Sequence, residues 1–206
     1  MLKLPTVTLI CLTGLYYKPE EHKKAIDKCL EQIEFGAVKL IMDKKIDNVD
    51  DWNKAVIYDL PKYVFTSHAL FIHADGYVIN PDLWQKEWLD LDYIGSPWPL
   101  PKDSFSYRDE QGNLQRVGNG VGLRSKKLMD LAASLPLVYR HGNNHEDGHI
   151  CCWNRKWLEN QGCKFATFEQ ALLFGKEHEI PENKGMRTFL FHTTKKGFLN
   201  FYKKSA

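Results

Sequence analysis

An apolar run, Ala69-Leu70-Phe71-Ile72, stops at His73-Ala74-Asp75-Gly76. Side chains alternate along a strand, so an imidazole and a carboxylate two residues apart point to the same side. A buried strand that ends in such a pair delivers metal ligands to a cleft. A hard divalent cation held by few protein groups keeps positions for water and substrate phosphates. The chemistry implied is metal-assisted work on a phosphate-bearing substrate.

Three other clusters can take part. His145-Glu146-Asp147-Gly148-His149 reads literally as the zinc-protease pattern His-Glu-x-x-His, with both imidazoles on one helix face and Glu146 as general base. Gly148 inside the motif and the loop-like Arg140–Asn144 flank argue against a firm helix there. The second reading places Glu146 and Asp147 at a helix N-terminus, whose positive end favours ionised carboxylates, as base and acceptor-binding groups. The plain alternative is an acidic first turn that only stabilises the helix. Gly118-Asn119-Gly120-Val121-Gly122 lacks the features of a dinucleotide fingerprint or a P-loop. Its glycines still allow close backbone approach to a ligand, or a tight turn between strands. His192-Thr193-Thr194-Lys195-Lys196 follows the apolar Phe189-Leu190-Phe191. It offers a further metal ligand and a phosphate clamp, although a lone His after an apolar run is more often structural.

The elements that must position these groups are legible as a strand–helix alternation. Thr6–Thr13 reads as a buried strand ending at Gly14. Pro19 opens a helix carrying Ala25, Ile26, Cys29, Leu30 and Ile33, closed by Gly36. Ala37–Met42 is a strand, Asp50–Leu60 a helix, and Tyr63–His73 a strand. Asn80-Pro81 starts a short helix through Leu89. Asp92–Gly95 is a strand broken at Ser96-Pro97, Lys102–Arg116 a loop or hairpin, and Ser125–Leu135 a helix. Asn144 caps a further helix running to Asn160. This alternation predicts a mostly parallel sheet with helices on both faces. Ligands of such sheets bind beyond the carboxyl ends of the strands, which gathers Leu12–Gly14, His73–Gly76 and Gly95–Trp98 near one cleft.

Composition narrows the classes. The 206 residues are 43% hydrophobic and 13% aromatic, which suits one globular domain. A net charge of +2 and a pI near 8.2 are too balanced for a nucleic-acid-binding domain. The five cysteines show no disulfide spacing, which points to a reducing, cytoplasmic setting. No apolar run is long enough to span a membrane, so any membrane association would be at the surface.

Taken in order, these stretches resemble the small GT-A-type glycosyltransferases, specifically a family of compact glycosyltransferase-like domains of bacteria and large DNA viruses. The matching residues are Trp52–Tyr58 with Leu60, Tyr63, Thr66 and His68; Phe71–Pro81; Asp92–Trp98; Val117–Ser125; Glu146-Asp147; and Phe168–Glu177. The resemblance implies a GT-A-like, Rossmann-type α/β fold over 1–206, with a nucleotide-binding part of about 1–98 and an acceptor and catalytic part of about 99–206. It implies that His73-Ala74-Asp75 stands where the family has Asp-x-Asp, so that Asp75 binds the cation, Mn²⁺ or Mg²⁺, with His192 as partner and His73 as a third candidate. Leu12, Thr13, Gly14, Asp75, Gly76, Gly118, Asn119, Gly120 and Lys195 would contact the donor. Trp98 and Glu146 would contact the acceptor, with ordinary packing as the alternative for Trp98, and Asp147 would be the general base. Leu123-Arg124-Ser125 follows Gly122 directly, a shorter loop than the family's usual one. The activity implied is transfer of a sugar from a nucleotide-sugar, UDP-sugar first, to a glycan, polysaccharide or lipid-linked acceptor, with inversion favoured. The rival readings are a zinc hydrolase built on His145, Glu146 and His149, a nucleotidyltransferase, and a non-catalytic sugar- or nucleotide-binding module.

Overall fold

The computed structural model describes residues 1–14, 17–138, 140 and 145–193. Its centre is a five-stranded sheet of order β2-β1-β3-β6-β5. The strands are β1 (Leu2–Leu12), β2 (Ile33–Ile41), β3 (His68–Ile72), β5 (Tyr93–Pro97) and β6 (Val117–Ser125). β1 runs parallel to β2 and β3, while β6 is antiparallel to both β3 and β5. Four strands therefore share one direction, as the alternation predicts.

Alternate residues of the central strands feed two apolar clusters. Leu9, Cys11, Leu70 and Ile72 join one, with Ala25, Ile26 and Cys29 of helix α1 (Pro19–Leu30), Leu128 of α3 (Lys126–Ala133) and Leu158 of α5 (Arg155–Asn160). Ile10, Leu12, Ala69 and Phe71 join the other, with Ala55, Val56 and Leu60 from the run that begins as α2 (Val49–Lys54). Helices thus cover both faces. Each such Leu, Ile or Phe contributes about 1.5–3 kcal/mol by leaving water.

A smaller sheet of order β4-β8-β7 stands at the carboxyl end of β3; it comprises β4 (Gly76–Val78), β7 (Gly175–Lys176) and β8 (Leu190–His192). The link is a tight turn in which His73 and Gly76 exchange backbone hydrogen bonds of 2.9 and 3.3 Å. β7 follows helix α6 (Phe168–Phe174), which Thr167 caps by accepting from the Gln170 amide.

Several boundaries differ from the sequence reading. α1 stops at Leu30, and Ile33 already belongs to β2. Gly36 lies inside that strand because the Pro5 carbonyl comes so close that a Cβ would overlap it. The helix expected from Asn80 to Leu89 is two separate 3₁₀ turns. Pro97 extends β5 instead of ending it. The stretch 118–122 is part of β6, not a free loop or a turn between strands. In the chain 145–160, α4 (Glu146–Gly148) passes into a wider turn before α5, so the expected helix is not continuous. Its expected cap, Asn144, lies outside the described residues.

Candidate active site

A cleft of about 470 Å³ opens beyond the ends of β1, β3 and β6. Gly14, Asp75, Asn119, Gly120, Glu146, Asp147 and His192 line it, as does His73. The pleat does not bring His73 and Asp75 together, as the sequence reading supposed. β3 ends at Ile72, and the turn to β4 folds Asp75 back. Asp75 is 6% exposed and accepts a 2.9 Å hydrogen bond from the Tyr17 hydroxyl. β8 pairs with β4 so that His192 lies opposite Gly76. A Cβ at Gly76 would meet the His192 ring at 2.8 Å, so this glycine serves close packing and does not line the cleft.

The three groups converge. His192 Nε2 is 3.3 Å from His73 Nδ1 and 3.7 Å from Asp75 Oδ1. One ligand atom from each lies within 4.8 Å of the others, the only such group of three or more His, Cys, Asp or Glu among the described residues. Two donors about 2.1 Å from one ion at right angles stand about 3 Å apart, so the spacing suits a divalent cation. His73 Nε2 is buried without a hydrogen-bond partner. The far nitrogen of His192, Nδ1, faces Glu177 Oε1 at 3.3 Å.

The electrostatics follow from burial and these neighbours. Burial, then the charges of His192 and Arg124, hold the His73 ring well below the usual histidine range. Burial would lower His192 too, but Glu177, Asp75 and Asp147 outweigh it and raise it. Asp75 is raised by burial against the opposing pull of His192 and the Tyr17 hydroxyl. Glu177 is lowered, because contact with His192 overrides its burial.

On the other wall, β6 bulges. Gly95 pairs with Gly122 and the next residue, Ser96, with Gly118, so Asn119, Gly120 and Val121 are extruded. Asn119 takes a left-handed φ of 98°. Its Oδ1 accepts from the Val121 amide at 3.0 Å, and its Nδ2 is buried without a partner. A Cβ on Gly120 would reach Glu146 Oε1 at 2.9 Å and His73 Cε1 at 3.0 Å, so only glycine leaves this part of the cleft open. Glu146 is 3% exposed. It is 3.4 Å from the buried Arg124 guanidinium, and its amide donates to Asn53. Asp147 accepts from the Gly148 amide at 2.8 Å. Burial and the adjacent Glu146 push its carboxyl up to about 6, against the pull of His145.

Some expected site residues lie elsewhere. Leu12 is in the core, and both the amide and the hydroxyl of Thr13 donate to the Ile41 carbonyl; neither lines the cleft. Gly118 is the bed for Trp98, whose ring a Cβ there would overlap. Trp98 itself is 4% exposed and stacks on Tyr107 at 4.7 Å, so it packs and presents no face to the cleft. Lys195 lies outside the described residues. The zinc-hydrolase geometry is not formed. His145 is exposed, with extended backbone ahead of α4, while His149 is 2% exposed and turned to Asn154.

Glu177, Tyr17, His22, Trp52 and Arg124 were missed. Glu177 sits within the matching stretch Phe168–Glu177, but nothing in one sequence says that β7 brings it to His192. Trp52 packs edge-on to His73 at 5.2 Å.

Residues 53–192 match a family described as "Protein of unknown function (DUF5672)". No curated protein sequence matches the chain. In three dimensions the chain is similar to a glycosyltransferase involved in the glycosylation of the major capsid of PBCV-1. The TM-score is 0.64, the identity 9%, and the likeness covers 97% of this chain and 100% of the other. At that identity the likeness establishes the fold, which is GT-A-like.

Proposed function

This chain belongs to the DUF5672 family, and we propose that it transfers a sugar from a nucleotide-sugar, UDP-sugar first, to a carbohydrate acceptor on a glycan, polysaccharide or lipid. The observation that carries this reading is one cleft holding both the cation-capable trio and Asp147, a carboxylate raised to about 6. The GT-A-like fold supports it.

Asp75, His192 and His73 would hold Mn²⁺ or Mg²⁺. When bound, such an ion neutralises the charge that develops on a departing nucleoside diphosphate. The described lining has four carboxylates and no Lys or Arg, so a diphosphate there needs a cation. The unpartnered Asn119 Nδ2 and the open backbone at Gly120 offer donors and space to the diphosphate or sugar. Tyr17 and Trp52, both lining the cleft, give it aromatic walls. Glu146 is tied to Arg124, and Glu177 faces His192. Asp147 is therefore the carboxylate suited to take the proton from the acceptor hydroxyl. A single base of this kind favours inversion at the sugar. Glu146 keeps that base's affinity for protons high.

Product analysis tests the reading. Incubation with nucleotide-sugars, Mn²⁺ and simple sugar acceptors should release nucleoside diphosphate, and Asp147→Asn should slow this by about 10²–10⁴-fold. Formation of pyrophosphate with a nucleotide-sugar would instead identify a nucleotidyltransferase and overturn the proposal.

A further inference from the structure

We propose that the trio of His73, Asp75 and His192 selects a first-row transition-metal cation and rejects Mg²⁺, and that His73 sets this preference. The inference rests on the reading above that these residues hold a divalent cation.

The donor chemistry argues for it. The trio supplies two imidazole nitrogens and one carboxylate oxygen. Mg²⁺ demands oxygen ligands, gives up its waters reluctantly and draws much of its affinity from ligand charge. An imidazole in place of a second carboxylate removes one negative charge and one hard oxygen. Nitrogen-containing sites bind Mn²⁺, Fe²⁺ and Co²⁺ in rising order.

The geometry makes His73 a fixed participant. Its ring is held edge-on by Trp52 at 5.2 Å and Phe71 at 4.9 Å. Gly120 leaves no side chain to push it aside. Its Nδ1 is thereby set 3.3 Å from His192 Nε2. The second imidazole is fixed as well, because Glu177 lies against the far nitrogen of His192. A carboxylate facing one imidazole nitrogen orients the other toward a metal.

The test is competition on the purified full chain, read from the electron-spin signal of free Mn²⁺. Wild type should bind Mn²⁺ and lose it to a comparable concentration of Co²⁺, but not to a roughly hundredfold excess of Mg²⁺. His73→Asp should narrow the Mn²⁺-over-Mg²⁺ preference by roughly tenfold or more, and His73→Asn should narrow it less. Displacement by comparable Mg²⁺ in wild type, which needs no variant to fold, would overturn the inference. So would an unchanged ratio in a folded His73→Asp protein. If wild type binds no Mn²⁺, or Asp75→Ala binds it as wild type does, the cation reading itself fails. A site lost in Asp75→Ala that still accepts Mg²⁺ equally removes only the selectivity.

Discussion

Asp147 carries the sharpest consequence at the scale of single residues. Burial, Glu146 and Glu177 raise its carboxyl to about 6, while His145 and the Gly148 amide pull the other way. A base must be ionised to act, so turnover should climb as pH rises through about 6 and level off above it. The same shift acts on stability with the opposite sense. The folded chain holds this proton more tightly than the unfolded chain. The group therefore favours the fold fully only below the ordinary carboxylate range, and the contribution is lost as pH rises through about 6. Asp147→Asn should then be far slower yet more stable than wild type at pH 8, by about 1–3 kcal/mol, with the gain vanishing toward pH 4. Melting curves at the two pH values check this; a variant equally stabilised at both would show that the charge is not the cause. Glu177 faces the Nδ1 of His192 at 3.3 Å. Glu177→Gln should weaken Mn²⁺ binding about 10–100-fold with the fold intact, as measured by direct titration of the metal.

Among the elements, β6 does most to build the site. Its bulge puts Asn119 and Gly120 in the cleft, and its glycines permit close neighbours on both sides. Gly118 lies under Trp98 so closely that a Cβ would overlap the indole. Gly118→Ala should therefore cost at least the ~1–3 kcal/mol typical of an overpacked core, seen as a lower denaturant midpoint. A neutral result would mean that Trp98 can shift and does not fix the strand. Legibility in the sequence follows the same physics. The apolar strands β1, β3 and β8 were readable because buried strands are continuous runs, and His73, Asp75 and His192 sit at their ends. Glu146 and Asp147 were readable from their place in the first turn of a short helix. The bulge was not, because its cause is the pairing of Gly95 and Ser96 with residues four apart. The choice between sugar stacking and packing for Trp98 stayed open in the sequence because its stacking partner, Tyr107, arrives through a loop with no periodicity. Glu177 depends on a two-residue strand and was invisible for the same reason.

At the scale of the molecule, the central sheet and the small three-stranded sheet meet at the turn between His73 and Gly76, and the cleft forms there. The GT-A-like architecture explains why groups up to 119 residues apart in sequence, such as His73, Glu146 and His192, share one pocket. Among the described residues no helix is long and apolar enough to cross a membrane. On the proposed function this pocket holds a cation and a nucleoside diphosphate together, with Asp147 facing them. Anomalous X-ray diffraction from crystals grown with Mn²⁺ and UDP tests it most directly. A manganese peak should appear within bonding distance of Asp75 and His192, with the diphosphate beside it and the Asp147 carboxylate across the cleft. Manganese bound elsewhere, or a nucleotide seated outside the cleft with the trio bare, would contradict it.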